Sequence, residues 1–219
     1  MRMFTNNGLF LFLLTLAACN TGKKVDKEQV DQMKKSMEVK KVGEAEIISH
    51  ALEWGDELSQ EAQASLMQAL QKAIADKGTV GAVEFCNVEA LPLTQSVAEK
   101  HGVIIRRVSE KNRNPKNSLQ DQEKPLFDAY AYNTEEGITN APNIQKMDDG
   151  ETLLFTKAIV IPGGLCLNCH GTAGEELAED TYEKIKSLYP DDKATGYKVG
   201  DLRGMWSIHI PKKEVVKRM

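Results

Sequence analysis

The stretch Leu153–Thr172 reads LLFTKAIVIPGGLCLNCHGT. Its first nine residues, Leu153–Ile161, are apolar and partly β-branched, the composition of a buried strand. Pro162-Gly163-Gly164 stops that strand, and the motif C-x-x-C-H follows at once in Cys166, Cys169 and His170. A second strand, Gly204–Ile210 (GMWSIHI), alternates apolar and polar residues and ends at Pro211. Between the two lie about 40 residues, Pro162–Arg203, too many for a plain connection and of a length that often carries function. Upstream, Val103–Val108 (VIIRRV) is a third strand, and Pro125–Tyr132 is ambiguous.

Earlier still the pattern changes to a helical period. Leu58, Ala62, Leu66, Ala69, Leu70, Ala73 and Ile74 form one stripe at i, i+4, i+8, i+11, i+12, i+15 and i+16. Ile47, Ile48, Ala51 and Leu52 make a shorter one over Glu44–Trp54, and no proline interrupts Val25–Lys77. Gly55 reads as a bend, Gly78 as a helix stop, and Leu93–Lys100 as a further short helix closed by Gly102. Helices first and strands later predict an α+β fold with an antiparallel sheet.

Of the 219 residues 41% are hydrophobic and 27% charged, enough apolar material for one core. The formal net charge is −4 and no Lys/Arg block stands out, which argues against nucleic acid as a partner. The amino terminus carries one basic residue, Arg2, then the apolar run Gly8–Ala18 and Cys19. That run is too short to span a bilayer and suits the core of an export signal. Leu16-Ala17-Ala18-Cys19 looks like a bacterial lipobox, so residues 1–18 are expected to be a lipoprotein leader. Cys19 is then the lipidated residue, residues 19–40 a tether running into the first helix, and residues 41–219 the functional domain. The chain is expected on the periplasmic face of a membrane. Asn20 rather than Asp after the cysteine favours the outer membrane of a two-membrane cell.

Four chemistries use closely spaced cysteines. A zinc site needs four N or S ligands, and only Cys86 remains outside the lipobox to supplement the motif. A thioredoxin-like dithiol sits between a strand and a helix of a βαβ unit, and parallel alternation is missing here. A Cys166–Cys169 disulfide leaves the adjacent histidine without a role. Covalent haem uses all three residues: Cys166 and Cys169 add to the two vinyl groups, and His170 lies beneath the iron. Covalent haem attachment in bacteria happens outside the cytoplasmic membrane, where the leader sends the chain. The expected cofactor is therefore one haem c.

For the other face of the iron the residues leave several donors: His50, His101, His209, a methionine such as Met147, or Cys86. Cys86 lies in an apolar run (Val80, Ala82, Val83, Phe85, Val88) and is expected to be buried. Arg106, Arg107, Arg113 and Arg203 are candidates to pair with haem propionates, since guanidinium meets carboxylate in a fork. Strand alternation sends Arg106 and Arg107 to opposite sides. Asp191, Asp192 and Asp201 match no calcium loop.

Four motifs in order, VEFCNVEA, IIRRVSEKNRNPKN (Ile104–Asn117), CLNCHG (Cys166–Gly171) and YPDDKATGYKVGDLRG (Tyr189–Gly204), resemble the single-haem, PAS-like c-type cytochromes. The likeness covers most of the chain from about residue 40 on. It implies a PAS-like antiparallel sheet ringed by helices, and axial ligation that falls on His170 and Cys86. A thiolate favours ferric iron, so reduction would weaken the Fe–S bond and open a position for water, CO or NO. The expected function is a lipid-anchored redox or gas sensor that signals to a partner the sequence does not identify. A plain electron carrier is the alternative, and no group is placed for a haem enzyme.

Overall fold

The computed structural model describes residues 26–36 and 42–219. The leader, Cys19 and the polar residues after it lie outside the described residues. The described residues fall into two units. The first holds one ten-residue helix, α1 (Lys27–Ser36). The second, Val42–Met219, holds all the remaining elements.

That unit begins with α2 (Glu44–His101), 58 residues long and broken once, at Gly78. Gly78 has φ 69° and ψ −178°, a conformation that only glycine adopts without strain. The expected stop is there, but helix resumes immediately and carries Cys86 and Leu93–Lys100 in one second arm. This arm folds back on the first, for Lys100 and His101 both bond Glu61, at 2.7 and 2.8 Å. Among the described residues no helix is long and apolar enough to cross a membrane.

Gly55 is not a bend. It lies within the first arm, and a Cβ there would overlap the ring of Phe155. The glycine exists so that helix and sheet can meet at this point.

The strands are β1 (Ile104–Val108), β2 (Asn143–Lys146), β3 (Thr152–Val160) and β4 (Leu202–Pro211). They form one antiparallel sheet in the order β1-β4-β3-β2. Alternation assigns the faces. Ile105, Leu153, Phe155, Trp206, Ile208 and Ile210 pack with Ala51, Trp54, Leu58 and Ala62 of α2. Val108 and Met205 point the other way, against Phe127 and Tyr130 of α3 (Lys124–Glu135). The ambiguous Pro125–Tyr132 segment is thus helical, with its proline in the first turn, where the missing N–H costs nothing. The α+β class, the antiparallel sheet and the long helix near the amino terminus are as expected.

Three short α-helices, α4 (Gly164–His170), α5 (Glu179–Leu188) and α6 (Lys212–Arg218), and one 3-10 turn at Pro115–Asn117 complete the unit. Both α4 and α5 fall in the long connection between β3 and β4. That connection builds the site.

Candidate metal centre at one end of the sheet

Strand β3 ends at Val160, and Ile161 is locked to the chain returning toward β4. Its N–H donates to the Asp201 carbonyl at 2.9 Å, and its carbonyl accepts from Gly200 N–H at 2.9 Å. After Pro162 the motif forms α4. Spacings of three and four place Cys166, Cys169 and His170 on neighbouring positions of this helix. Leu167 is buried with Ile161, Ala194 and Tyr197, which fixes how the helix seats. Cys169 packs against Val83 of α2 and Leu177 and Ile185 beside and within α5.

The loop Tyr189–Asp201 closes over α4. Gly196 N–H donates to the Gly171 carbonyl and Tyr197 N–H to the His170 carbonyl, both at 2.9 Å. Gly196, at φ 73°, makes the turn that brings both donors round. Nδ1 of His170 is 2.7 Å from the Ala194 carbonyl oxygen. A carbonyl only accepts, so the proton sits on Nδ1 and Nε2 keeps its lone pair. Burial, helped by the nearby Arg203 and Arg113 cations, holds the His170 pKa well below the usual histidine value. The ring is a neutral, oriented donor.

Arg113 ties the pieces together. Its Nε and Nη2 donate to the Asp192 carboxylate at 3.0 and 3.3 Å, and Nη2 also reaches the carbonyls of Cys169 (2.7 Å) and Ala194 (3.2 Å). Arg203 belongs to a β-bulge. Ile159 pairs with Gly204 and Val160 with Leu202, leaving Arg203 as the extra residue. A bulge re-aims the side chain it carries. Here the guanidinium stands over the Tyr197 ring at 5.4 Å, donates at 3.3 Å to the Lys111 carbonyl, and leaves its buried Nε without a partner. Burial lowers the Arg203 pKa to about 10, so it is still cationic at neutral pH.

Arg107 points to the α2 face, 5.9 Å over the Trp206 ring. Burial lowers its pKa, while the neighbouring Cys86 and Tyr189 raise it. Among the described residues its guanidinium has no carboxylate partner. Arg106 faces the opposite side, as alternation predicts. It is committed there to Glu123, which is fully buried, with Nη1 at 2.8 and 3.0 Å from the two carboxylate oxygens. Ser207 Oγ and Gln120 N–H complete the Glu123 shell at 2.6 and 2.7 Å. Arg106 therefore leaves the site, because its charge is already neutralised across the sheet.

Cys86 lies on the second arm of α2, half-buried rather than fully buried as its apolar neighbours suggest. The run is helical, so its residues are distributed around the axis: Val83 is 3% exposed and Val88 64%. Burial raises the Cys86 thiol pKa, and Arg107 and Arg113 oppose that rise. Tyr189 is pushed up to about 12, by burial first and then by Cys86. Cys86, Cys166 and Cys169 are all free thiols. Cys86, Cys169, His170, Arg107, Arg113, Arg203 and Tyr189 thus meet at one end of the sheet.

The other donors are elsewhere. Met147 precedes β3, which rises about 26 Å before the motif begins. His209 pairs with Leu154 and Ile104, at the far end of the sheet. His101 is bonded to Glu61, and His50 is exposed on α2. Asp192 serves Arg113, and Asp201 accepts from Lys198 N–H at 2.7 Å. Among the described residues no group of three or more His, Cys, Asp or Glu could hold a metal ion. Sequence reasoning missed the Ala194 carbonyl and the role of Asp192, since a backbone acceptor has no side-chain signature.

A family model described as Tll0287-like (Tll0287) matches residues 23–211. No curated protein matches the chain. One solved structure, the crystal structure of the cyanobacterial heme-protein Tll0287, is similar at a TM-score of 0.48 and 20% identity, over 85% of this chain and 97% of that one.

Proposed function

The chain belongs to the Tll0287-like family, and from that premise we propose that it is a c-type haem protein with iron held between His170 and Cys86. In this reading the porphyrin supplies four donors and the chain two, which suits a site with no cluster of three or more ligands. Cys166 and Cys169 carry the thioether bonds. The observation that carries the reading is the His170–Ala194 hydrogen bond, a partner of the kind that orients a metal-ligating imidazole and raises its basicity. Arg107 and the orphaned Nε of Arg203 fit two anionic propionates. Arg113 is a positioning residue, holding the Cys169 and Ala194 carbonyls where the motif needs them.

Bound in this way, haem supplies one-electron chemistry and an exchangeable sixth position. The role we assign is redox or gas sensing. Cys86 is on a helical arm hinged at Gly78, so a change in its ligation acts on α2 and through it on the core. The protein is not an enzyme in this reading, and signals to a partner from a lipid anchor at Cys19 on the periplasmic face.

Optical and EPR spectra in both oxidation states test the assignment. A thiolate signature that disappears on reduction, with uptake of CO, is the expected result. Unchanged six-coordinate spectra and rapid exchange with a cytochrome pool would establish a carrier instead. Cys19→Ala is expected to release the protein from membrane fractions; retention there overturns the anchor.

A further inference from the structure

The Ala194 hydrogen bond does not by itself fix the His170 ring. Histidine χ2 is a broad torsion with no sharp minimum of its own. A hydrogen bond also keeps most of its strength over roughly 30° of misalignment. The Ala194 carbonyl therefore settles the tautomer and the direction of Nδ1, but leaves the ring plane free to rock. A metal-ligating imidazole needs both settled.

Tyr197 supplies what is missing. Its ring stands edge-to-face with the imidazole, the centroids 6.2 Å apart and the planes at 88°. Aromatic pairs prefer this arrangement, and rocking of the imidazole would break it. A wall serves only if it is itself immobile, and the surroundings of Tyr197 make it so. Its N–H donates to the His170 carbonyl at 2.9 Å. Its side chain is 4% exposed, buried with Ile161, Leu167 and Ala194. Lys111 Nζ and the Arg203 guanidinium stand over its ring at 5.2 and 5.4 Å, held by the attraction of a cation to an aromatic face.

We propose that Tyr197 is a positioning residue for His170, fixing the imidazole plane as the Ala194 carbonyl fixes its tautomer. The positioning belongs to the chain itself. Its consequence at iron rests on the haem reading above: the plane of an axial imidazole sets the anisotropy of the ferric EPR signal, so a fixed plane gives one signal. Core packing alone would give Tyr197 a share in stability, but no hold on ring motion or on g-values.

The test is NMR relaxation of the histidine ring carbons in the full chain made without haem, followed by EPR of the haem-loaded ferric form. The native His170 ring is expected near the rigid limit, at an order parameter of about 0.85, and that of Tyr197→Leu below about 0.6. Tyr197→Phe keeps the ring and restores the native value. Tyr197→Met, whose flexible chain fills irregular gaps, is the second ring-free variant should Leu prevent folding. A native His170 ring already below about 0.6 overturns the proposal. So does a ring-free variant as rigid as the native chain, or Phe as mobile as Leu. In EPR the ring-free variant broadens or splits the low-spin signal and Phe reproduces the native one; an unaltered signal overturns the coupling to iron. A rigid His170 in a chain that takes up no covalent haem refutes the haem reading and leaves the positioning standing.

Discussion

His170 and Ala194 are joined by a 2.7 Å hydrogen bond from Nδ1 to a backbone carbonyl 24 residues away. The acceptor cannot be removed by mutation, but its support can. The same carbonyl accepts from Arg113, which is fixed by Asp192, and both of those side chains are largely buried. The imidazole's orientation thus depends on an ion pair that never touches it.

Arg113→Ala strips that pair and leaves the Asp192 carboxylate buried beside fewer donors. Loss of one partner of a buried pair costs about 3 kcal/mol or more. Arg113→Lys keeps the charge without the fork and recovers only part of that. Denaturant unfolding of the three proteins measures the differences. A native-like midpoint for Arg113→Ala refutes the clamp.

Arg106 and Arg203 separate structure from site. Arg106→Ala strands the fully buried Glu123 and is expected to cost about 3–5 kcal/mol. It leaves the reduction potential unchanged, because Glu123 already neutralises the guanidinium. Arg203→Ala removes a cation with an unpaired Nε from the proposed haem edge, so the potential falls as ferric iron becomes relatively favoured. Redox titration beside thermal melting gives both readouts. A potential that moves with Arg106 and not with Arg203 reverses the assignment.

The sequence marks strands and helices where composition and period act together. Leu153–Ile161 is bounded by Pro-Gly-Gly, and the stripe through Leu58 and Leu66 lies on the face buried in the core. It does not mark β2, whose four residues Asn143–Lys146 are mostly exposed and too few to show a period. Glycine is a second blind spot. Gly78 and Gly55 look alike in the sequence, yet one serves a positive φ and the other the space for a ring. At the site, CxxCH and Cys86 were legible as side chains. Whether a strand arginine faces Glu123 or the end of the sheet that carries the CxxCH motif depends on its partners across the sheet, which the sequence does not display.

Gly55→Ala tests the second of those glycines. Phe155 is fully buried in the core, so its ring has no room to yield. Overpacking of this kind costs about 1–3 kcal/mol, even though alanine is the better helix former by close to 1 kcal/mol. Equilibrium unfolding therefore shows a net loss. A gain in stability would mean that the arm and the sheet do not meet here.

Cys86→Ala decides what the sixth ligand is. In the proposed reading Cys166, Cys169 and His170 are untouched, so haem is expected to stay covalently attached and to be retained on a denaturing gel. Loss of an anionic donor removes a preference for ferric iron, and the potential rises. The thiolate signature of the ferric form is lost, while CO uptake by the ferrous form is retained. His209 and Met147 are at the far end of the sheet and cannot substitute. An unchanged potential places the ligand on another residue and removes the link between iron and the hinged arm of α2.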